Sequence, residues 1–123
     1  MESLFEVLQS TSDALFPAEL GKRTITIDSC DCEGDTPLHV IVRRKNQPAV
    51  EQLLSAGANP NARGDMGETP LHIAIRGGSI EIVAALVRHG ARAGIRTEFG
   101  ETALDMAIKH GGEIARLVKR SGT

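Results

Sequence analysis

A chain of 123 residues, 41% apolar and 24% charged, can close one hydrophobic core but is too short for two domains of ordinary size. Its only rings are three phenylalanines, with no Trp or Tyr, so the side chains that usually stack on nucleobases are nearly missing. A formal net charge of −2 gives no overall field to recruit nucleic acid or an acidic membrane.

That charge is unevenly distributed. Residues 1–34 carry seven acids against two bases, net −5, whereas residues 35–97 carry eight bases against five acids, net +3. Residues 98–123 balance at four of each. An acidic front end therefore precedes a mildly basic middle.

In chain order, Leu4, Phe5, Val7 and Leu8 space out an apolar helical stripe from about Ser3. Asp13 to Leu20 predicts a second helix, with Ala14, Leu15, Phe16 and Leu20 apolar and Pro17 near its first turn. Thr24-Ile25-Thr26-Ile27 alternates as a short extended piece. Glu2 and Glu6 interrupt the one stretch that could act as a leader, and no apolar run is long enough to span a bilayer. A cytoplasmic protein with no membrane contact is expected. Cys30 and Cys32 form a C-x-C pair with no second pair, which excludes the two-pair zinc site of a ribbon or finger. Two reduced thiols are expected, with a transient redox pair as the alternative.

From residue 34 the chain repeats. Gly34-Asp35-Thr36-Pro37-Leu38-His39 returns 33 residues later as Gly67-Glu68-Thr69-Pro70-Leu71-His72, and again as Gly100-Glu101-Thr102-Ala103-Leu104-Asp105. Gly57-Ala58 recurs as Gly90-Ala91 at the same period. Each copy reads as two helices. Thr69 is an N-cap before a first-position Pro70, Leu71, Ala74 and Ile75 mark one face, and Gly77-Gly78 ends the helix. Ile80, Val83, Leu86 and Val87 then mark a second helix that closes at Gly90. The first copy repeats this with Leu38, Ile41, Val50, Leu53 and Leu54, with Pro48 early in its second helix. The third does so with Leu104, Ala107, Ile108, Ile114, Leu117 and Val118 and a shorter turn between helices. Polar turns at 59–65 and 92–98 join the pairs.

These motifs, with Asn61-Ala62-Arg63 leading into the second copy, resemble the ankyrin repeat over residues 31–123. The resemblance implies an all-α solenoid in which helix hairpins, each with a β-turn finger, stack side by side. It divides the chain into repeats at about 31–63, 64–96 and 97–123, behind a degenerate N-terminal capping repeat at 1–30, all in one domain. Gly64 stands where the family usually has Asp, Gly94 where it has Asn, and Lys45 and Gln47 where it has Gly and Leu. Arg116, Lys119 and Arg120 make the last helix polar, as a terminal cap requires. With both ends closed, a self-contained protein is expected.

Catalysis finds no footing in the residues. The resemblance implies that His39 and His72, at equivalent points of adjacent copies, bond turn backbone and pin the fingers. His89 and His110 lack ligands at zinc spacing, the serines lack a nucleophile elbow, and the Gly-Gly pairs lack a phosphate-loop Lys. No enzyme activity, cofactor or metal is expected.

Residues 33 apart lie above one another across such a stack. Asp35, Glu68 and Glu101 form an acidic ladder; Arg43, Arg76 and Lys109 form a basic one, beside Arg44 and His110. Glu33, Met66 and Phe99 form a finger-tip column that grades from charged to apolar. The two ladders could simply pair with each other, or meet a partner. Met66 and Phe99 have no core to enter and read as a contact anchor. The expected function is binding of one folded protein through fingers and first helices, by a chain that is monomeric when unbound. An immunity or inhibitor protein that blocks a toxin or enzyme is the alternative, and a nucleic-acid accessory role a more distant one.

Overall fold

Thr-Pro-Leu-His builds the same corner wherever it occurs. Thr36 and Thr69 hold extended backbone at the N-caps, Pro37 and Pro70 occupy the first helical position, and helices α3 (Pro37–Arg43) and α5 (Pro70–Gly77) follow. Thr102 caps α7 (Ala103–His110) in the same way. In this computed structural model the described residues are 3–15, 25–31 and 33–120. Their remaining α-helices are α1 (Leu4–Gln9), α2 (Ser12–Leu15), α4 (Gln47–Ser55), α6 (Ile80–Arg88) and α8 (Gly112–Arg120), with a 3-10 turn at Asp65–Gly67. Among these residues there is no strand, only an isolated bridge between Arg96 and Thr102.

The stack has two layers. First helices pack in the series α3, α5, α7; second helices pack in the series α4, α6, α8; and each hairpin closes on itself. Position in the stack then sets burial. In α5, held between α3 and α7, all six residues from Pro70 to Ile75 are buried, whereas in α7 only Ala103 and Ala107 are. The core is Leu, Ile, Val and Ala, continuous from Val7 to Val118. Removing Leu53 or Leu71, both fully enclosed, to Ala would cost about 2–5 kcal/mol.

Three expectations about apolar faces need correction. Phe5 is exposed, because α1 packs on α4 through Val7 and Leu8 and turns Phe5 outward. Ile80 is also exposed; it begins α6, and Ile82 takes the buried place one turn position on. Ile108 is 51% exposed although its equivalents Val42 and Ile75 are buried, since those two are covered by the following first helix. The predicted helix to Leu20 is seen only as α2; residues 16–24 lie outside the described set, as does Cys32. Ile25 is buried against the stack, but Ile27 and Asp28 form a turn rather than continuing an extended piece. Cys30 is an exposed free cysteine.

The turns between helices tighten along the chain. Three residues separate α3 from α4, two separate α5 from α6, and Gly111 alone separates α7 from α8. At the first turn Lys45 has φ 58°, matching Gly78 at φ 71° one repeat later. The left-handed bend survives without its glycine, and a side chain there costs about 1–2 kcal/mol.

Candidate functional site

Each finger is tied to the next through a buried histidine. The Thr36 backbone N–H donates to His39 Nδ1 at 3.0 Å, so that nitrogen is unprotonated and the ring proton sits on Nε2. Nε2 donates to the Glu68 carbonyl, 3.0 Å away on the following finger. His72 repeats the arrangement with Thr69 and the Glu101 carbonyl, at 3.1 and 3.3 Å. Burial pushes both imidazoles below the usual histidine range, against the opposing pull of the carbonyls they contact. Both are neutral pins. In the third copy Asp105 occupies this place and accepts from the Thr102 N–H at 3.4 Å.

The finger turns are closed in three different ways. Asp31 Oδ1 accepts from the N–H groups of Glu33 and Asp35, and Thr97 Oγ1 accepts from Phe99 N–H. Gly64 has no side chain to offer, and the preceding finger supplies the missing acceptor. Asp35 Oδ1 takes the Asp65 N–H at 2.9 Å. A Cβ at residue 64 would lie 2.0 Å from that oxygen, so the glycine is what admits it.

The two ladders meet rung by rung. Arg43 pairs with Asp35 at 2.9 Å, Arg76 pairs with Glu68, and Lys109 pairs with Glu101 at 3.0 Å. Each cation lies in the last turn of its helix, where the helix dipole also favours it. Asp35 is only 7% exposed. Burial pushes its carboxyl up, but the bonds from Arg43 and Asp65 N–H outweigh this and hold it below the usual range. The outer rungs are more open, and Glu101 raises the Lys109 ammonium above its ordinary value. Arg44 points elsewhere, donating to the Ser10 carbonyl at 3.1 Å.

At the finger tips Met66 is 50% and Phe99 78% exposed. Glu98 N–H donates to the Met66 carbonyl at 2.9 Å, which sets the two tips side by side. Arg63 reinforces the contact through the Arg96 carbonyl at 3.0 Å. Glu33 is exposed at the first tip, and the adjacent Asp65 carboxyl pushes its own upward. Phe99 and Ile108 face an open groove of about 640 Å³, with Glu101, Asp105 and Lys109 around it. His110 is exposed beside Lys109 in a neighbouring pocket. Phe99, Glu101 and Lys109 therefore converge, as do Arg43, Glu68 and Arg76. Ile108 and Lys45 were not anticipated as surface features. The period could have flagged Ile108, which lies on the uncovered side of the last first helix. Among the described residues no group of three or more His, Cys, Asp or Glu is placed to hold a metal ion. Nor is any of their helices long and apolar enough to cross a membrane.

Helix hairpins in register, locked finger to finger, define a helical-repeat solenoid. A family model described as "Ankyrin repeats (3 copies)" matches residues 38–123, and the chain belongs to the ankyrin repeat family. Comparison with curated proteins found no match. Ankyrin repeats are generally protein–protein interaction modules and typically non-enzymatic.

Proposed function

We propose that this chain binds a single folded protein through its fingers and first helices. The carrying observation is the apolar row formed by Met66, Phe99 and Ile108, exposed on a face where Arg76 and Lys109 are each paired with an acid. Large apolar side chains without internal partners gain most when a second surface desolvates them, and such residues dominate interface energetics. The ion pairs around them set register and contribute little raw affinity. Glu33, Asp35, Glu68 and Glu101 with Arg43, Arg76, Lys109 and His110 form the polar surround of that anchor, and Arg44, turned to Ser10, stands apart from it. Asp35 acts from beneath the surface by holding Arg43 in place.

The test is a photo-crosslinking amino acid placed at residue 99 in cells that normally make the protein, with the same group at residue 88 on α6 as control. A defined cross-linked protein at 99 and none at 88 is expected. Cross-linking at 88 alone would place the interface on the second-helix side and end the proposal.

A further inference from the structure

The first-helix side carries the same pocket twice, one repeat apart. The first, about 260 Å³, has Val42 and Ile73 at its floor, with Arg43, Arg76 and Glu68 around it. The second, about 340 Å³, has Ile75 and Met106 at its floor, with Arg76, Lys109 and Glu101 around it. Every one of these residues has its counterpart 33 positions on, and Arg76 is the shared wall. Each pocket is large enough for one aliphatic side chain, and their spacing is that of packed first helices, roughly 8–10 Å.

That spacing selects the backbone of an occupant. In a β-strand, side chains on one face recur at roughly 7 and 13 Å. In a polyproline II helix, three residues per turn and a rise of about 3.1 Å bring residues i and i+3 to the same face about 9 Å apart. The charge selects its sign. Arg43, Arg76 and Lys109 are each matched by one acid, but Lys45 lines the first pocket with no ion pair among the described residues. Its left-handed backbone is part of the turn that places it there. The groove therefore keeps an excess of positive charge around two apolar holes.

Resting on the function proposed above, we propose that the partner segment entering this groove is an acidic, extended polyproline II stretch. It inserts aliphatic side chains at i and i+3 into the two pockets. The experiment is fluorescence anisotropy of the full chain with labelled heptapeptides, the probe being Glu-Leu-Pro-Glu-Leu-Pro-Glu. Saturable binding is expected. The same composition reordered as Glu-Leu-Glu-Leu-Pro-Pro-Glu should bind roughly tenfold to a hundredfold more weakly, the change for one aliphatic side chain left in water. Replacing the three Glu by Lys should abolish binding. Lys45→Gly should weaken the probe several-fold while raising Tm, a combination that a folding defect does not produce. Equal affinity for the reordered peptide overturns the proposal, as does tighter binding of an acidic helical peptide with Leu at i and i+7. So does no saturation up to about 1 mM, the limit of useful recognition. If cross-linking at residue 99 succeeds while the peptides fail, the interaction surface stands and this occupant does not.

Discussion

The in-trans closure of the second finger makes a quantitative prediction. Gly64→Ala puts a Cβ 2.0 Å from Asp35 Oδ1, where ordinary contact begins near 3.4 Å. The carboxylate must retreat by more than an ångström from the Asp65 N–H and the Arg43 guanidinium, both now at 2.9 Å. Hydrogen bonds to a charged group contribute about 1.5–3 kcal/mol, so Gly64→Ala should cost about 2–4 kcal/mol. Asp35→Ala removes the same bonds and should cost a similar amount. Combined, the two should cost little more than either alone, because the methyl group then enters space the carboxylate has left. Some penalty persists, since His39 Nε2 also lies 2.9 Å from the added Cβ. A coupling of at least about 1 kcal/mol is expected from urea unfolding of the four proteins. Additive costs would refute the reasoning, and would mean that Asp35 and residue 64 do not share this space.

Other outcomes follow from the same structure. Lys45→Gly removes a strained left-handed lysine; after the entropy a glycine adds to the unfolded chain, Tm should rise by about 1–3 °C in a thermal melt. His39 and His72 have depressed folded pKa values, so the unfolded chain takes up protons first, below about 6.5. Their contribution is complete above that pH and is lost as pH falls toward the folded values. Stability should therefore decline between pH 7 and 5, and less steeply in a His39→Asn/His72→Asn variant. If the N-terminal segment caps the stack, deleting residues 2–20 should uncover α4 and cost several kcal/mol or cause aggregation. A truncated monomer with unchanged Tm would show that the segment is dispensable.

The fold was legible because its signals are local and repeated. Thr69-Pro70-Leu71-His72 specifies a cap, a helix start and a pin within four residues, and the period shows where that corner recurs. What the sequence left hidden depended on neighbours. Ile80 and Ile82 fit a helical stripe almost equally well, and only packing against α4 and α8 chooses between them. Ile108 has the pattern of a core residue but lacks the next helix that would cover it. The ladders could be drawn from the 33-residue period, yet nothing in that period said whether the rungs pair within the chain. Asp35 reaching residue 65 is a contact across 30 positions that only the stacked geometry reveals. Lys45 read as a departure from the family pattern, and its backbone proves to keep the turn the glycine would have made.

The central claim is that the finger face binds and that Phe99 anchors the partner. Its most direct test is calorimetric titration of the cross-linked partner, once purified, against wild type and Phe99→Ala. Because Phe99 is 78% exposed, the variant should keep its Tm to within about 1 °C, as surface substitutions usually do. Binding should nevertheless weaken by about 1–3 kcal/mol, the range for truncating an interface anchor. Arg88→Ala, which breaks an exposed pair with Glu51 on the second-helix side, should leave binding unchanged. Undiminished binding by Phe99→Ala alongside a loss with Arg88→Ala would contradict the account and move the interface to the opposite face.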